Sequence, residues 1–164
     1  MFDLSGRVSL VSGAASGMGK AVALAVAEAG SDIVLADINE AGAHAVAQEI
    51  EALGRKALPV VCDISSPEAI RAMFTQIDET FGRIDFVANI AGEAVRKKPE
   101  IIELDEVEWT WRNIVYGRFC ICQEAGRRML EQGRGSIINL GSLASITALG
   151  RGHIAYSMAM GAVV

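Results

Sequence analysis

The sequence is poor in the features that would take it out of the soluble, globular class. It has only three prolines in 164 residues and no segment of low complexity, which excludes a disordered chain or a flexible linker. No apolar run approaches the roughly 20 residues a membrane-spanning helix needs. The opening residues Met1-Phe2-Asp3-Leu4-Ser5-Gly6-Arg7 have neither a basic start nor an apolar stretch, so no secretory signal is read there. Basic residues are in deficit: the net charge is -5, and nucleic acid is not the expected partner because phosphate binding needs a basic face. Cysteine is also scarce. Cys62, Cys120 and Cys122 are odd in number and lack metal-ligand spacing, so they read as idle or buried thiols in a reducing cytoplasm, with no metal site. No internal repeat and no second domain is seen.

Glycine, by contrast, is plentiful (17 residues), and strand-like and helix-like segments alternate. Buried strands are expected at 8–11, 32–37, 57–62, 84–89 and 136–140. Helices are expected over 18–29, 40–53 and 105–130, and a last one begins near Tyr156. Another starts at Ser66-Pro67-Glu68, where a capping serine, a proline at the first helical position and an acid suit a helix start. Its apolar residues Ile70, Met73, Phe74, Ile77 and Phe81 keep helical spacing. Five such alternations predict a Rossmann-type α/β fold, a doubly wound parallel sheet with helices on both faces, as one dinucleotide-binding domain over residues 1–164.

The first strand runs into Ser12-Gly13-Ala14-Ala15-Ser16-Gly17-Met18-Gly19 and then a helix. Glycines there let the backbone approach a pyrophosphate, and the helix start offers free N–H groups and a positive dipole end. Gly13, Ser16, Gly17, Met18 and Gly19 are therefore candidate cofactor residues. Asp37 ends the second strand and can accept hydrogen bonds from both ribose hydroxyls of an adenosine. It would repel a 2′-phosphate, and no basic residue lies beside it, so NAD is expected over NADP.

These motifs resemble the short-chain dehydrogenase/reductase family. The resemblance covers the whole sequence, with serine at 12 where threonine is commoner. It implies that Asp63 and Ile64 contact the adenine ring, and that Asn89-Ile90-Ala91-Gly92 supports the sheet beside the cofactor, with Asn89, Ala91 and Gly92 at that rim. It also implies catalytic roles. Asn113 would hold a water in a proton relay. Ser142, rather than Ser145, would hydrogen-bond a substrate carbonyl. Tyr156 would pass the hydroxyl proton while hydride moves to or from a nicotinamide. The activity implied is interconversion of a secondary alcohol and a ketone by an NAD-dependent enzyme, a homodimer or homotetramer in the cytoplasm with a small-molecule substrate.

One position departs from the family pattern. Tyr156-Ser157-Met158-Ala159-Met160 puts methionine where the family has lysine. That lysine hydrogen-bonds the nicotinamide ribose and lowers the tyrosine pKa. Methionine does neither. An ordinary tyrosine, with a pKa of about 10, is only about one part in a thousand ionised at pH 7. A unit charge about 4 Å away is worth on the order of 4 kcal/mol at an effective dielectric near 20, or roughly three pKa units. Lys97, Lys98, Arg118 and Arg151 are alternative sources of that charge which the sequence does not rank. Met160 thus leaves open a weakened enzyme, an engineered trap, or an active enzyme with its charge placed elsewhere. An NAD-binding protein with little or no catalysis is the second reading. An isomerase or dehydratase on the same scaffold is the third. The family also continues past this point with a further helix and two strands, so a longer protein is expected.

Four other features have ordinary readings. His44 reads as solvent-facing, His153 as an ordinary residue before Tyr156 with lining of the site the lesser alternative, Trp109 and Trp111 as packing residues, and Arg96-Lys97-Lys98 as a solvated loop near the ligand crevice.

Overall fold

The computed structural model describes residues 2–147, 149–150 and 152–164. Arg151, one of the candidate charges, lies outside the described residues. Five strands form one parallel sheet: β1 (Val8–Ser12), β2 (Asp32–Asp37), β3 (Ala57–Val61), β4 (Phe86–Asn89) and β5 (Ser136–Asn139). Their order is β3-β2-β1-β4-β5, so the chain winds outward in both directions from β1. Successive strands are joined through α1 (Gly17–Glu28), α2 (Glu40–Ala52) and α3 (Pro67–Phe81), and finally through α4 (Leu104–Trp111) and α5 (Gly117–Gln132). A short turn at Leu143–Ser145 and α6 (Ile154–Val163) follow β5. Among the described residues no helix is long and apolar enough to cross a membrane.

The two faces of the sheet follow the strand period of two. Leu10, Val34 and Val87 face a core with Ile70, Phe74 and Ile77 of α3 and Ile121 of α5. Val11, Leu35 and Ala88 face the opposite core, which Ala23 and Ala27 of α1 and Val46 and Ile50 of α2 complete. Burying both faces explains why the strands read as continuous apolar runs.

The α3 start is as the sequence implied: Ser66 Oγ accepts from the Ala69 N–H, and Pro67 occupies the first position. Other boundaries differ. The fourth strand begins at Phe86, not Ile84, because the Gln132 side chain takes the Ile84 backbone instead: Gln132 Nε2 donates to Ile84 O at 2.7 Å, and Gln132 Oε1 accepts from Ile84 N at 3.1 Å. The long helix expected over 105–130 is not uniform. Arg112–Tyr116 forms a π-turn between α4 and α5. The last helix starts at Ile154, two residues before Tyr156.

Candidate active site

Register alone gathers the site. Ser12 of β1 lies level with Ala36 of β2 and Asn89 of β4, and Asn89 lies level with Asn139 of β5. These residues form the C-terminal rim, and β1 and β4 flank the switch point where such sheets bind ligands.

At that point the first glycine turn fits tightly against β4. Gly13 has φ +71°, and a Cβ there would lie 3.1 Å from the Ala91 backbone. A Cβ on Gly19 would lie 1.9 Å from Gly13 O. Neither position has room for a side chain. The buried Ser12 hydroxyl locks the same junction, accepting from the N–H groups of Ile90 (3.0 Å) and Ala91 (3.1 Å). Sequence reasoning did not find this tie between β1 and the end of β4; a hydroxyl at the end of an otherwise apolar strand was the available signal.

A cleft of about 430 Å³ opens over this rim, lined in part by Gly13, Ser16, Asp37, Asp63, Ile64 and Asn113. Ala91 and Gly92 also border it. Asp37 is held by the turn: Oδ2 accepts from Ala15 N and Oδ1 from Asn39 N, each at 2.9 Å. Helix α1 starts above it with no side-chain cap and no acid in its first turn. Gly17 and Met18 lie on the exposed side of that turn. Asn89 does not face the cleft. It is buried in the sheet end, donating to Asn139 Oδ1 at 2.9 Å and to Cys122 Sγ.

Cys62 also borders the cleft, where burial pushes its thiol up to about 11. It is a neutral, unreactive thiol at pH 7. Trp109 is the clearest correction. The sequence reads it as a packing residue, but it is 40% exposed and forms part of the cleft wall. Asn113 sits in that π-turn and its Nδ2 donates to Trp109 O at 3.0 Å.

A second cleft carries Tyr156, with Glu93, Ala94, Arg96, Leu149 and His153, and it meets the first at Gly92 and Glu93. The His153 and Tyr156 rings stand edge to face, 6.3 Å between centroids. Ser142 lines neither cleft; its Oγ accepts from Ala144 N at 3.1 Å, which leaves its hydroxyl proton free to donate elsewhere. Ser145 Oγ instead donates to Ser142 O at 2.6 Å. Met160 borders neither cleft. It is 4% exposed and packs with Ile114 and Ala159.

Three comparisons define the relationship. A family model described as enoyl-(acyl carrier protein) reductase matches residues 13–164. The chain is 38% identical over 155 residues to a D-threitol dehydrogenase of Mycolicibacterium smegmatis, covering 94% of this chain and 59% of that protein. It superposes on a short-chain type dehydrogenase/reductase from Mycobacterium marinum with a TM-score of 0.94 at 35% identity, covering 99% of this chain and 66% of that one.

The chain belongs to the short-chain dehydrogenase/reductase family.

Within the family it is also 38% identical over 165 residues to an NAD-dependent glycerol dehydrogenase of Listeria innocua, covering 99% of this chain and 63% of that one. The chain thus spans about three-fifths of the length of these two curated relatives. Of the sequence motifs, Gly13, Asp37, Asp63, Ile64, Ala91 and Gly92 line the rim cleft, and Tyr156 lines the adjoining one.

Proposed function

We propose that the protein is an NAD-dependent oxidoreductase that interconverts a secondary alcohol and a ketone. The observation that carries this reading is the meeting of the rim cleft and the Tyr156 cleft at Gly92 and Glu93. A cofactor in the first would bring its reactive end to the second.

The residues of the first cleft fit a nicotinamide dinucleotide. The side-chain-free turn at Gly13 and Gly19 admits a pyrophosphate close to the backbone, and the uncapped start of α1 points its positive dipole end there. The Asp37 carboxylate, fixed by two backbone N–H groups, keeps lone pairs for ribose hydroxyls and opposes a 2′-phosphate. Asp63 and Ile64 would border the adenine. When bound, the nicotinamide supplies the acceptor or donor of hydride.

The protein's own groups handle the proton. The Tyr156 oxygen takes it from the substrate hydroxyl in oxidation and returns it in reduction. Ser142 would donate a hydrogen bond through its free hydroxyl, keeping its proton, to the substrate oxygen, whose negative charge grows during reduction. Asn113 has its amide nitrogen committed to Trp109 O, so it is held in place at the cleft wall. Glu93, Arg96 and His153 give the second cleft a polar lining, which suits a hydroxyl-rich substrate. That agrees with the threitol and glycerol named for two relatives.

The test is NADH formation, read at the nicotinamide absorbance, over glycerol, threitol, xylitol and unrelated secondary alcohols. Turnover strongest with the polyols is expected. A second reading, an NAD-binding protein with little or no catalysis, is favoured by Met160; tight NAD binding with no turnover on any alcohol would select it.

A further inference from the structure

We propose that the Glu93 carboxylate gives the cofactor site a redox preference, favouring the oxidised dinucleotide, NAD⁺, over NADH. This rests on the reading of the rim cleft as the seat of that cofactor, with its reactive end at the junction of the two clefts. The two redox forms differ in charge only at that end. The oxidised nicotinamide is a pyridinium cation, and gain of a hydride removes its charge. The pyrophosphate carries the same charge in both forms, so its contacts cancel when the two are compared.

Glu93 is the one charged residue that lines both clefts. Its backbone is tied on either side. Before it, the Ala91 N–H donates to the buried Ser12 Oγ at 3.1 Å. After it, the Val95 N–H donates to the buried Thr110 Oγ1 at 3.2 Å, and Ala94 packs on the cluster that holds Met160, beside Tyr156. The carboxylate therefore projects from a stretch of backbone fixed at the junction. It makes no hydrogen bond and pairs with no cation among the described residues. A free carboxylate at this place attracts the pyridinium and gains nothing from the neutral reduced ring.

The other charges near the site do not supply the preference. The rim cleft is lined by three carboxylates, Asp37, Asp63 and Glu93, and by no Lys or Arg. Asp37 ends β2 and Asp63 follows β3, whereas Glu93 follows β4, on the other side of β1 in the sheet order. Those two aspartates would face the adenosine, which is the same in both redox forms. Arg96 lines the second cleft alone, and it is exposed. Arg118 lies beneath Gly92, lines neither cleft, and acts in the opposite sense. The preference assigned to Glu93 is therefore its own share, read as a difference when its charge is removed. A site with this charge loads the oxidised cofactor and releases the reduced one, which suits oxidation of an alcohol.

The experiment is calorimetric titration of the protein with NAD⁺ and with NADH in low salt, for the parent, Glu93→Gln and Glu93→Lys. The quantity read is the Kd for NADH divided by the Kd for NAD⁺. A unit charge about 4 Å away in water is worth about fivefold in binding. The ratio should fall about threefold or more in Glu93→Gln and further in Glu93→Lys. In the parent it should also fall as salt rises from about 0.02 M to about 0.5 M, because an exposed charge is screened. A ratio unmoved in either variant overturns the proposal. So does equal weakening of both nucleotides, which a merely structural role predicts, and so does a parent ratio indifferent to salt. If the parent binds neither nucleotide, the cofactor reading fails and this proposal with it. If the ratio moves as expected but no alcohol is oxidised, the charge assignment holds and the oxidoreductase reading fails.

Discussion

Asp37 and Met160 show how much a single residue decides. Asp37 was legible as the carboxylate that ends the second strand, and it lines the rim cleft. What the sequence did not disclose is that both its oxygens are fixed by backbone N–H groups. Fixed in this way, the charge is aimed, and removing it should change nucleotide choice. Asp37→Ala is expected to lower NADH affinity by roughly tenfold, about the worth of one or two hydrogen bonds from a charged group, and to raise NADPH affinity, as read by fluorescence titration. Met160 was also legible, as a departure, but not its setting among Ile114 and Ala159. In that setting Met160→Lys buries an ammonium among apolar side chains and should lower the melting temperature, which thermal unfolding checks.

At the scale of the element, strand and helix identity came readily from periodicity, and the ends were less certain because side chains compete for backbone groups. Gln132 takes the backbone of Ile84 out of β4, a contact 48 residues away in sequence. The π-turn at Arg112–Tyr116 left no mark on the hydrophobic pattern, yet it carries Asn113 at the cleft wall. The strand-to-helix turn lies between β1 and α1 as the sequence implies, and its packing shows why glycine stands there. Gly19→Ala places a methyl group against Gly13 O and should cost about 1–3 kcal/mol by overpacking, with a matching fall in melting temperature and weaker NAD binding.

The start of β4 has an electrostatic tie as well. Burial raises the Asp85 carboxyl, but hydrogen bonds from Arg83, the Val8 N–H and Arg7 outweigh it and hold the group below its ordinary value. A depressed folded value means this stabilisation is full above the unfolded carboxyl, near pH 4, and is lost as pH falls through the lower folded value. Asp85→Asn should be less stable at pH 7 by about 1–3 kcal/mol and should show a flatter loss of stability below pH 4, measured by denaturant unfolding across pH.

The whole molecule is a sheet wound outward from β1, and that winding sets where chemistry can occur. Residues distant in sequence, Gly13, Asp37, Gly92 and Tyr156, reach one rim because every strand runs in the same direction. The alternation of elements made this architecture readable. The meeting of two clefts at Gly92 was not readable, because it depends on where the β4–α4 loop and α6 settle. Arg118 was unranked for the same reason: only packing shows that it is buried while Lys97 is paired and Arg96 exposed. The central claim is that Tyr156 moves the proton at a site whose NAD is held separately by the rim. The most direct test compares the parent protein with Tyr156→Phe on the best polyol substrate, measuring turnover and NAD affinity together. Turnover should fall by about 100-fold or more while the Kd for NAD stays within about twofold of the parent. Equal turnover in the two proteins would contradict the account.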